Sequence, residues 1–438
     1  MKTEINFAKY HAALDNTDTL ERAGRVTRIV GLAVEATGPA SRIGDICHMY
    51  TLDGERFVRA EIVGFRDGQT LLMPFGSVEG VGLDSYVVYT GNSLRVPVGD
   101  QFIGRILNAL GETMDALPPP EVELFYPTES SPPNPLTRER ITEALPLGIK
   151  AIDGMLTVGR GQRIGIFAGS GVGKSTLLGM MARYTDADIN VIILVGERGR
   201  EVRDFVEKDL GEEGLKKSVL VIATSDQPAL MRLKCAMTGT AMAEYFRDKG
   251  HKVLLLMDSL TRFAMAQREI GMAAGEPPVS RGFPPSVYSL LPKLLERSGM
   301  SDKGSITGLY TVLVEGDDLN EPISDTVRGI LDGHVALSRA IADRNHYPPI
   351  DVLASVSRVM PDIIAQRHKQ DYGMIKSMIA IYREAEDLIN IGAYRKGANP
   401  EIDRAVELHP AIQAFLKQTV DEHYSFDETI AMLSGILE

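Results

Sequence analysis

Residues 168–176 read Ala168-Gly169-Ser170-Gly171-Val172-Gly173-Lys174-Ser175-Thr176. The three glycines let a backbone curl closely around phosphate oxygens with no Cβ in the way. Ala168 stands where such loops usually begin with glycine, and a small residue keeps the approach open. Ahead of the loop, Arg163-Ile164-Gly165-Ile166-Phe167 has the composition of a short buried strand; behind it, Leu177, Leu178, Met181 and Ala182 recur at helical spacing. Strand, glycine-rich turn and helix start together aim backbone N–H groups and a helix dipole at a polyphosphate. Gly169, Ser170, Gly171, Val172, Gly173 and Thr176 would form the cradle, Lys174 would reach the β- and γ-phosphates, and the Ser175 hydroxyl would ligate Mg²⁺. The ligand this chemistry fits is a nucleoside triphosphate.

Further side chains could complete a hydrolytic site. The run His251-Lys252-Val253-Leu254-Leu255-Leu256-Met257-Asp258 is an apolar strand ending in a carboxylate. Beside a phosphate loop, Asp258 fits the aspartate that orients Mg²⁺ through bound water. Gly196-Glu197-Arg198-Gly199-Arg200-Glu201 follows a second apolar strand. There Glu197 would point into the crevice at the carboxyl edge of a parallel sheet and polarise the attacking water. A surface charge cluster opening a helix accounts for the same residues, and local sequence leaves both readings standing. Arg358, at the end of Ala354-Ser355-Val356-Ser357, is either a structural ion-pair partner or an arginine finger acting on the γ-phosphoryl group.

The elements that must position these groups fall into regions. Between residues 25 and 98, short apolar runs alternate with the turn signals Asp53-Gly54 and Asp67-Gly68. Closely spaced strands without helices between them predict a small β-barrel. Residues 1–24 read as a helical arm of mixed charge. Prolines crowd 117–135, at 118, 119, 120, 127, 132, 133 and 135, and forbid a regular helix or central strand there. Beyond them, strands expected over 190–195, 219–223, 253–257, 309–314 and 352–356 alternate with helices, which predicts a mainly parallel sheet. From about Pro361 the periodicity is helical: Ile375, Met378, Ile379 and Tyr382 share one face, and Ile412, Phe415 and Leu416 another. The domain scheme is thus an arm (1–24), a barrel (25–98), a phosphate-loop α/β domain (99–360, with the linker at 117–135) and a helical domain (361–438).

Composition narrows the function class. With 438 residues and a formal net charge of −12, the chain lacks the basic surface that a nucleic-acid track demands. No apolar run is long enough to span a bilayer, and the first residues lack the apolar core of a secretory signal, which points to the cytoplasm. The two cysteines, Cys47 and Cys235, have neither redox nor metal-ligand spacing.

Taken jointly, several segments resemble the ATPases of bacterial type III protein export, the flagellar branch most closely, from about Arg25 nearly to the end. They are the Thr157-Val158-Gly159-Arg160-Gly161-Gln162-Arg163 run, the phosphate loop, the Gly196–Val202 segment, Asp258-Ser259-Leu260-Thr261-Arg262-Phe263, Gly275-Glu276-Pro277-Pro278, Glu315-Gly316-Asp317-Asp318, Ile330-Leu331-Asp332-Gly333-His334 and Gly392-Ala393-Tyr394. The wider family includes the catalytic β subunit of F-type ATP synthase. The resemblance implies a barrel, a RecA-like nucleotide core and a helical tail. It implies Glu197 as the water-activating carboxylate, Arg198 and Arg262 as charge partners at the γ-phosphate, and Arg358 as a finger given to a neighbouring subunit. Tyr347, in His346-Tyr347-Pro348-Pro349, corresponds to an adenine-stacking aromatic, and Gly282-Phe283-Pro284-Pro285 to a pore-facing segment. It further implies ATP as substrate with Mg²⁺, a homohexamer at the cytoplasmic face of the inner membrane, and four kinds of partner: an export regulator, a central-stalk coiled coil, the export gate and chaperone–substrate complexes. The acidic Asp-Glu-Leu-Ser-Glu-Glu-Asp stretch of the rotary β subunit is absent; residues 388–397 read Leu-Ile-Asn-Ile-Gly-Ala-Tyr-Arg-Lys-Gly instead. The alternatives are an injectisome export ATPase, a rotary synthase subunit, a hexameric RNA helicase of the transcription-termination type, and an assembly subunit that binds nucleotide without turning it over.

Overall fold

The computed structural model describes Phe7, residues 22–314 and residues 321–438. The Glu315-Gly316-Asp317-Asp318 motif and most of the arm expected over 1–24 lie outside the described residues.

Six strands, β1 (Arg22–Val30), β2 (Ala33–Ala36), β3 (Asp45–Tyr50), β4 (Phe57–Arg66), β5 (Gln69–Pro74) and β6 (Tyr86–Ser93), close into an antiparallel barrel in the order β1-β2-β5-β4-β3-β6. Closure leaves no unpaired edge. β1 starts at Arg22, inside the segment expected to be the arm. The predicted Asp67-Gly68 turn joins β4 to β5, with Arg66 opposite Gln69. The inward positions of the alternating strands, among them Val34, Cys47, Met49, Ala60, Ile62, Leu72 and Val87, form one buried cluster.

The chain divides into two compact units: the barrel region with Ile270–Glu276, and Arg95–Glu269 with Pro277–Glu438. The second unit begins with β7 (Arg95–Val98), β8 (Ile106–Asn108) and β9 (Leu124–Pro127). β7 and β9 pair as a two-stranded ribbon, the edge position in which the proline-rich stretch can still form a strand. Then follow α1 (Lys150–Met155), β10 (Arg163–Ala168), α2 (Lys174–Tyr184), β11 (Ile189–Glu197), α3 (Gly199–Asp204), β12 (Ser218–Thr224), α4 (Ala229–Asp248), β13 (Lys252–Asp258) and α5 (Leu260–Ala274). After these come β14 (Gly299–Met300), β15 (Ser305–Leu313), β16 (Gly333–Leu337), α6 (Arg339–Ala342) and β17 (Val356–Ser357).

Strand order is β17-β16-β10-β15-β13-β11-β12-β8, with β14 on β15. From β16 to β8 every neighbouring pair is parallel. Every residue of β11 is buried, as expected of a parallel strand covered by helices on both faces. The strand expected at 352–356 is not a parallel member. Only Val356–Ser357 pairs, antiparallel, at the edge of β16. β10 has parallel neighbours on both sides, β15 and β16, the latter in the segment carrying Gly333-His334. Its apolar run of three after His334, Val335-Ala336-Leu337, is too short for periodicity to reveal as a strand.

The tail holds α7 (Gln366–Asn390), α8 (Pro400–Leu416) and α9 (Phe426–Gly435). Asn399 caps α8, accepting from Glu401 N at 2.9 Å, with Pro400 in the first turn. Ser425 and Glu428 form a capping box on α9. Ile375, Met378, Ile379, Ile412, Phe415 and Leu416 join the same buried cluster as Ile164, Ile166, Leu177 and Leu178, so sheet and tail share a core. Among the described residues, no helix is long and apolar enough to cross a membrane.

Candidate active site

The parallel register carries three side chains to one edge of the sheet. The loop leaves the carboxyl end of β10, Asp258 ends β13, and Glu197 ends β11, with Leu194 of β11 opposite Asp258. Gly196 sits at a bulge where the pairing of β11 with β12 shifts, and its φ of 68° is open to glycine at no steric cost. The bulge re-aims the strand end, and Glu197 remains buried beside the loop. At the start of α2, Gly173 is the N-cap with φ 89°, and no side chain caps the helix. The first-turn N–H groups of α2 therefore have no side-chain acceptor and face the loop, as an anion site requires.

Lys174 Nζ lies 2.5 Å from Asp258 Oδ1 and 3.8 Å from Glu197 Oε1. The Thr311 hydroxyl, on β15, donates to the same Asp258 oxygen at 2.8 Å. Arg262, in the first turn of α5, brings Nη2 to 3.3 Å from Glu197 Oε2 and donates through Nη1 to the Gly196 carbonyl. Burial pushes the Glu197 carboxyl up to about 7, helped by a hydrogen bond with Glu201 and by the nearby Asp258 charge; Lys174 and Arg262 pull the other way. The same hydrogen bond holds Glu201 below the ordinary carboxylate range. A carboxyl poised near neutrality beside an ammonium and a guanidinium can take a proton from water and release it.

Other predicted residues lie elsewhere. The Thr176 hydroxyl bonds Asp209, so its proton is turned away from the loop. Ser175 is exposed at the first turn of α2. The Arg198 side chain is 77% exposed and pairs with Glu201 at 3.4 Å, so it stands outside the cluster that Arg262 joins. Arg358 follows β17, and its N–H donates to the Asp332 carbonyl at 3.0 Å; Asp332 in turn binds Arg163 at the start of β10. Arg358 is thus at the opposite end of β10 from the loop, about 17 Å away at ~3.3 Å per residue. The Tyr347 ring, 46% exposed, lies against the loop: a Cβ on Gly173 would stand 3.6 Å from its Cε1. At the Gly282-Phe283 segment, the Arg268 guanidinium sits 5.4 Å over the Phe283 ring.

Three site-supporting residues escaped sequence reasoning. Glu201 stands in the Gly196–Val202 motif, four positions after Glu197, and that spacing could have flagged it. Thr311 is one polar residue in an apolar strand, informative only once β15 is known to lie beside β13. Arg339 donates to the Ser170 carbonyl at 3.0 Å, and nothing in its local sequence signals that contact.

Comparison with known proteins supplies the remaining facts. Residues 148–357 match the ATP synthase alpha/beta family nucleotide-binding domain, 26–91 its beta-barrel domain, and 364–435 the C-terminal domain of the type III secretion ATPase EscN. The chain is 54% identical to the flagellum-specific ATP synthase of Bacillus subtilis, over 97% of each chain. It is 49% identical to a type 3 secretion system ATPase of Xanthomonas euvesicatoria, over 95% of this chain and 94% of that one. Among solved structures, assembled EscN from enteropathogenic E. coli superposes with a TM-score of 0.89 at 45% identity, covering 95% of this chain and 100% of that one. EscN in complex with its central stalk EscO gives 0.88 at 44% identity, with the same coverage.

Proposed function

The chain belongs to the ATP synthase alpha/beta family, in the branch of flagellum-specific ATP synthases and type 3 secretion ATPases, and from that premise we propose that it is a Mg²⁺-dependent ATPase serving flagellar protein export. The observation that carries the chemistry is the convergence of Lys174, Asp258, Glu197 and Arg262 beside an uncapped helix start.

In this reading the Lys174 ammonium exchanges its two carboxylate partners for the β- and γ-phosphate oxygens. Glu197, held by Arg262, accepts the proton of the attacking water as its oxygen bonds to the γ-phosphorus, and ADP leaves in line. Hard oxygen donors suit Mg²⁺, and Ser175 and Asp258 supply them. Among the described residues Lys174 and Thr311 both meet Asp258 at Oδ1, so Oδ2 would be open to help hold the cation. When bound, Mg²⁺ would supply positive charge against the β and γ oxygens. Tyr347 is the platform for the adenine ring. Arg358 completes the pocket of the next copy in a ring, a homohexamer in which each interface is head-to-tail. Support for assembly and for a central-stalk partner comes from the EscN relatives. The proposed place of work is the cytoplasmic face of the inner membrane, with an export regulator, the export gate and chaperone–substrate complexes as partners.

Phosphate release by the purified protein tests the chemistry: Mg²⁺-dependent turnover in the wild type, lost in Lys174→Ala. Undiminished turnover in that variant would remove the site assignment. The flagellar branch is favoured by the higher identity to the B. subtilis relative. A deletion strain should fail to secrete hook and filament protein at normal levels; unimpaired flagellar secretion alongside lost effector secretion would move the protein to the injectisome branch.

A further inference from the structure

Gln418 lies just beyond α8, is 5% exposed, and takes no part in the chemistry above. Its backbone N–H donates to the Tyr347 carbonyl at 3.0 Å. Its Oε1 accepts the Lys150 N–H at 2.9 Å, and its Nε2 donates to the Gly148 carbonyl at 2.8 Å and the Glu422 carbonyl at 2.9 Å. Both amide hydrogens and the amide oxygen are therefore engaged. The Gly148–Lys150 segment is itself pinned: Asp153, fully buried on α1, accepts from Leu147 N at 2.9 Å and Gly148 N at 2.8 Å. A buried hydrogen-bonded amide cannot shift without leaving partners unpaired, and that cost makes residue 418 a fixed point. Tyr347, whose ring leans on the phosphate loop, hangs by its carbonyl from this point.

We propose that Gln418 is a positioning residue for the nucleoside half of the substrate: it fixes Tyr347 against the phosphate loop and so ties base recognition to the end of α8. The inference rests on the reading of Tyr347 as the base platform. Gln418 touches neither the loop nor the cluster of Lys174, Glu197 and Asp258. Its influence is therefore confined to the part of the ligand that Tyr347 meets. The triphosphate half is held independently, by the loop amides and Lys174.

The test uses purified full-length protein and two probes, Mg·ATP and Mg·tripolyphosphate, the second lacking a base. Gln418→Met keeps the volume and removes all three side-chain hydrogen bonds. It should raise KM for ATP by about tenfold, leave kcat within about threefold, and leave the inhibition constant of tripolyphosphate unchanged. Gln418→Leu likewise removes all three side-chain hydrogen bonds without burying a charge, should give the same selective rise in KM, and serves should the Met variant not fold. Tyr347→Ala should reproduce the selective loss, and adding Gln418→Met to it should change nothing further, because the two act in series. Equal weakening of both probes by the Gln418 variants, or an additive loss in the double variant, would overturn the role of Gln418. If Tyr347→Ala itself left ATP affinity intact, the platform reading would fall first, and this inference with it.

Discussion

In the proposed reading Glu197 is the base of the hydrolytic step, and its buried setting raises its carboxyl toward neutrality. Its carboxyl sits at about 7, raised first by burial. A proton-accepting base must be ionised, so the rate is present above that value and lost below it. The expected outcome is a kcat/KM that falls about tenfold per pH unit below pH ~7, read from phosphate release across pH 5.5–8.5. Glu197→Gln should bind nucleotide within about threefold of wild type while kcat drops by roughly 10²–10⁴, and its pH profile should be flat in this range. Glu201 contributes to the raised value through the shared hydrogen bond. In Glu201→Gln a neutral amide donates to the Glu197 carboxylate and stabilises it, so the inflection should move down by about one unit. An unmoved inflection would mean that burial alone sets it.

Elements hold these residues by a few buried contacts, and the strongest are remote from the chemistry. Arg297 pairs with Glu244 of α4 at 2.7 and 2.9 Å, both side chains 5% exposed or less, and also donates to the Thr128 carbonyl at 2.7 Å. That triad fastens the proline-rich segment, at the residue just past β9, to the helix covering the sheet. Without hydrogen-bonding periodicity of its own, such a segment is ordered by side chains reaching to it. Arg297→Met strands a buried carboxylate and should cost about 3–5 kcal/mol in denaturant unfolding. Turnover per folded molecule should stay near wild type, since the triad touches nothing at the loop. A drop in turnover without a loss of stability would place it in the active site instead.

At the scale of the whole molecule, the proposed reading leaves the pocket of one chain incomplete. Arg358 stands at the amino end of β10 and the phosphate loop at its carboxyl end, so one copy cannot bring both to the same phosphate. Identical copies arranged head to tail can. Arg358→Ala and Lys174→Ala should each be inactive alone. Mixed in equal amounts, about a quarter of the interfaces would pair an intact loop with an intact arginine, and a comparable fraction of wild-type turnover should return. No recovery, in mixtures shown to co-assemble, would rule out a finger supplied in trans.

Much of this was legible in the chain because local chemistry wrote it. A glycine-rich loop between an apolar run and a helix has few other uses, so Lys174 and Ser175 could be found by type and spacing. The Asp67-Gly68 turn and closely set strands gave away the barrel, since the turn demands those residues. What sequence could not reach was relation across distance. Arg198 and Arg262 look equivalent as text, yet only Arg262, rising from a neighbouring strand end, meets Glu197; Arg198 points to solvent. The parallel sheet includes β16, which local sequence did not mark, while the expected strand at 352–356 supplies only an antiparallel edge pair, because pairing partners are chosen by packing and not by local composition. Thr311, Arg339 and Gln418 are ordinary residues until the fold sets them against Asp258, the phosphate loop and Tyr347. The sequence by itself determined which groups have the type and spacing of a phosphate site, because those types are the chemistry. Only the tertiary structure decided which groups surround them, because a hydrogen bond at 3 Å depends on where two distant segments meet.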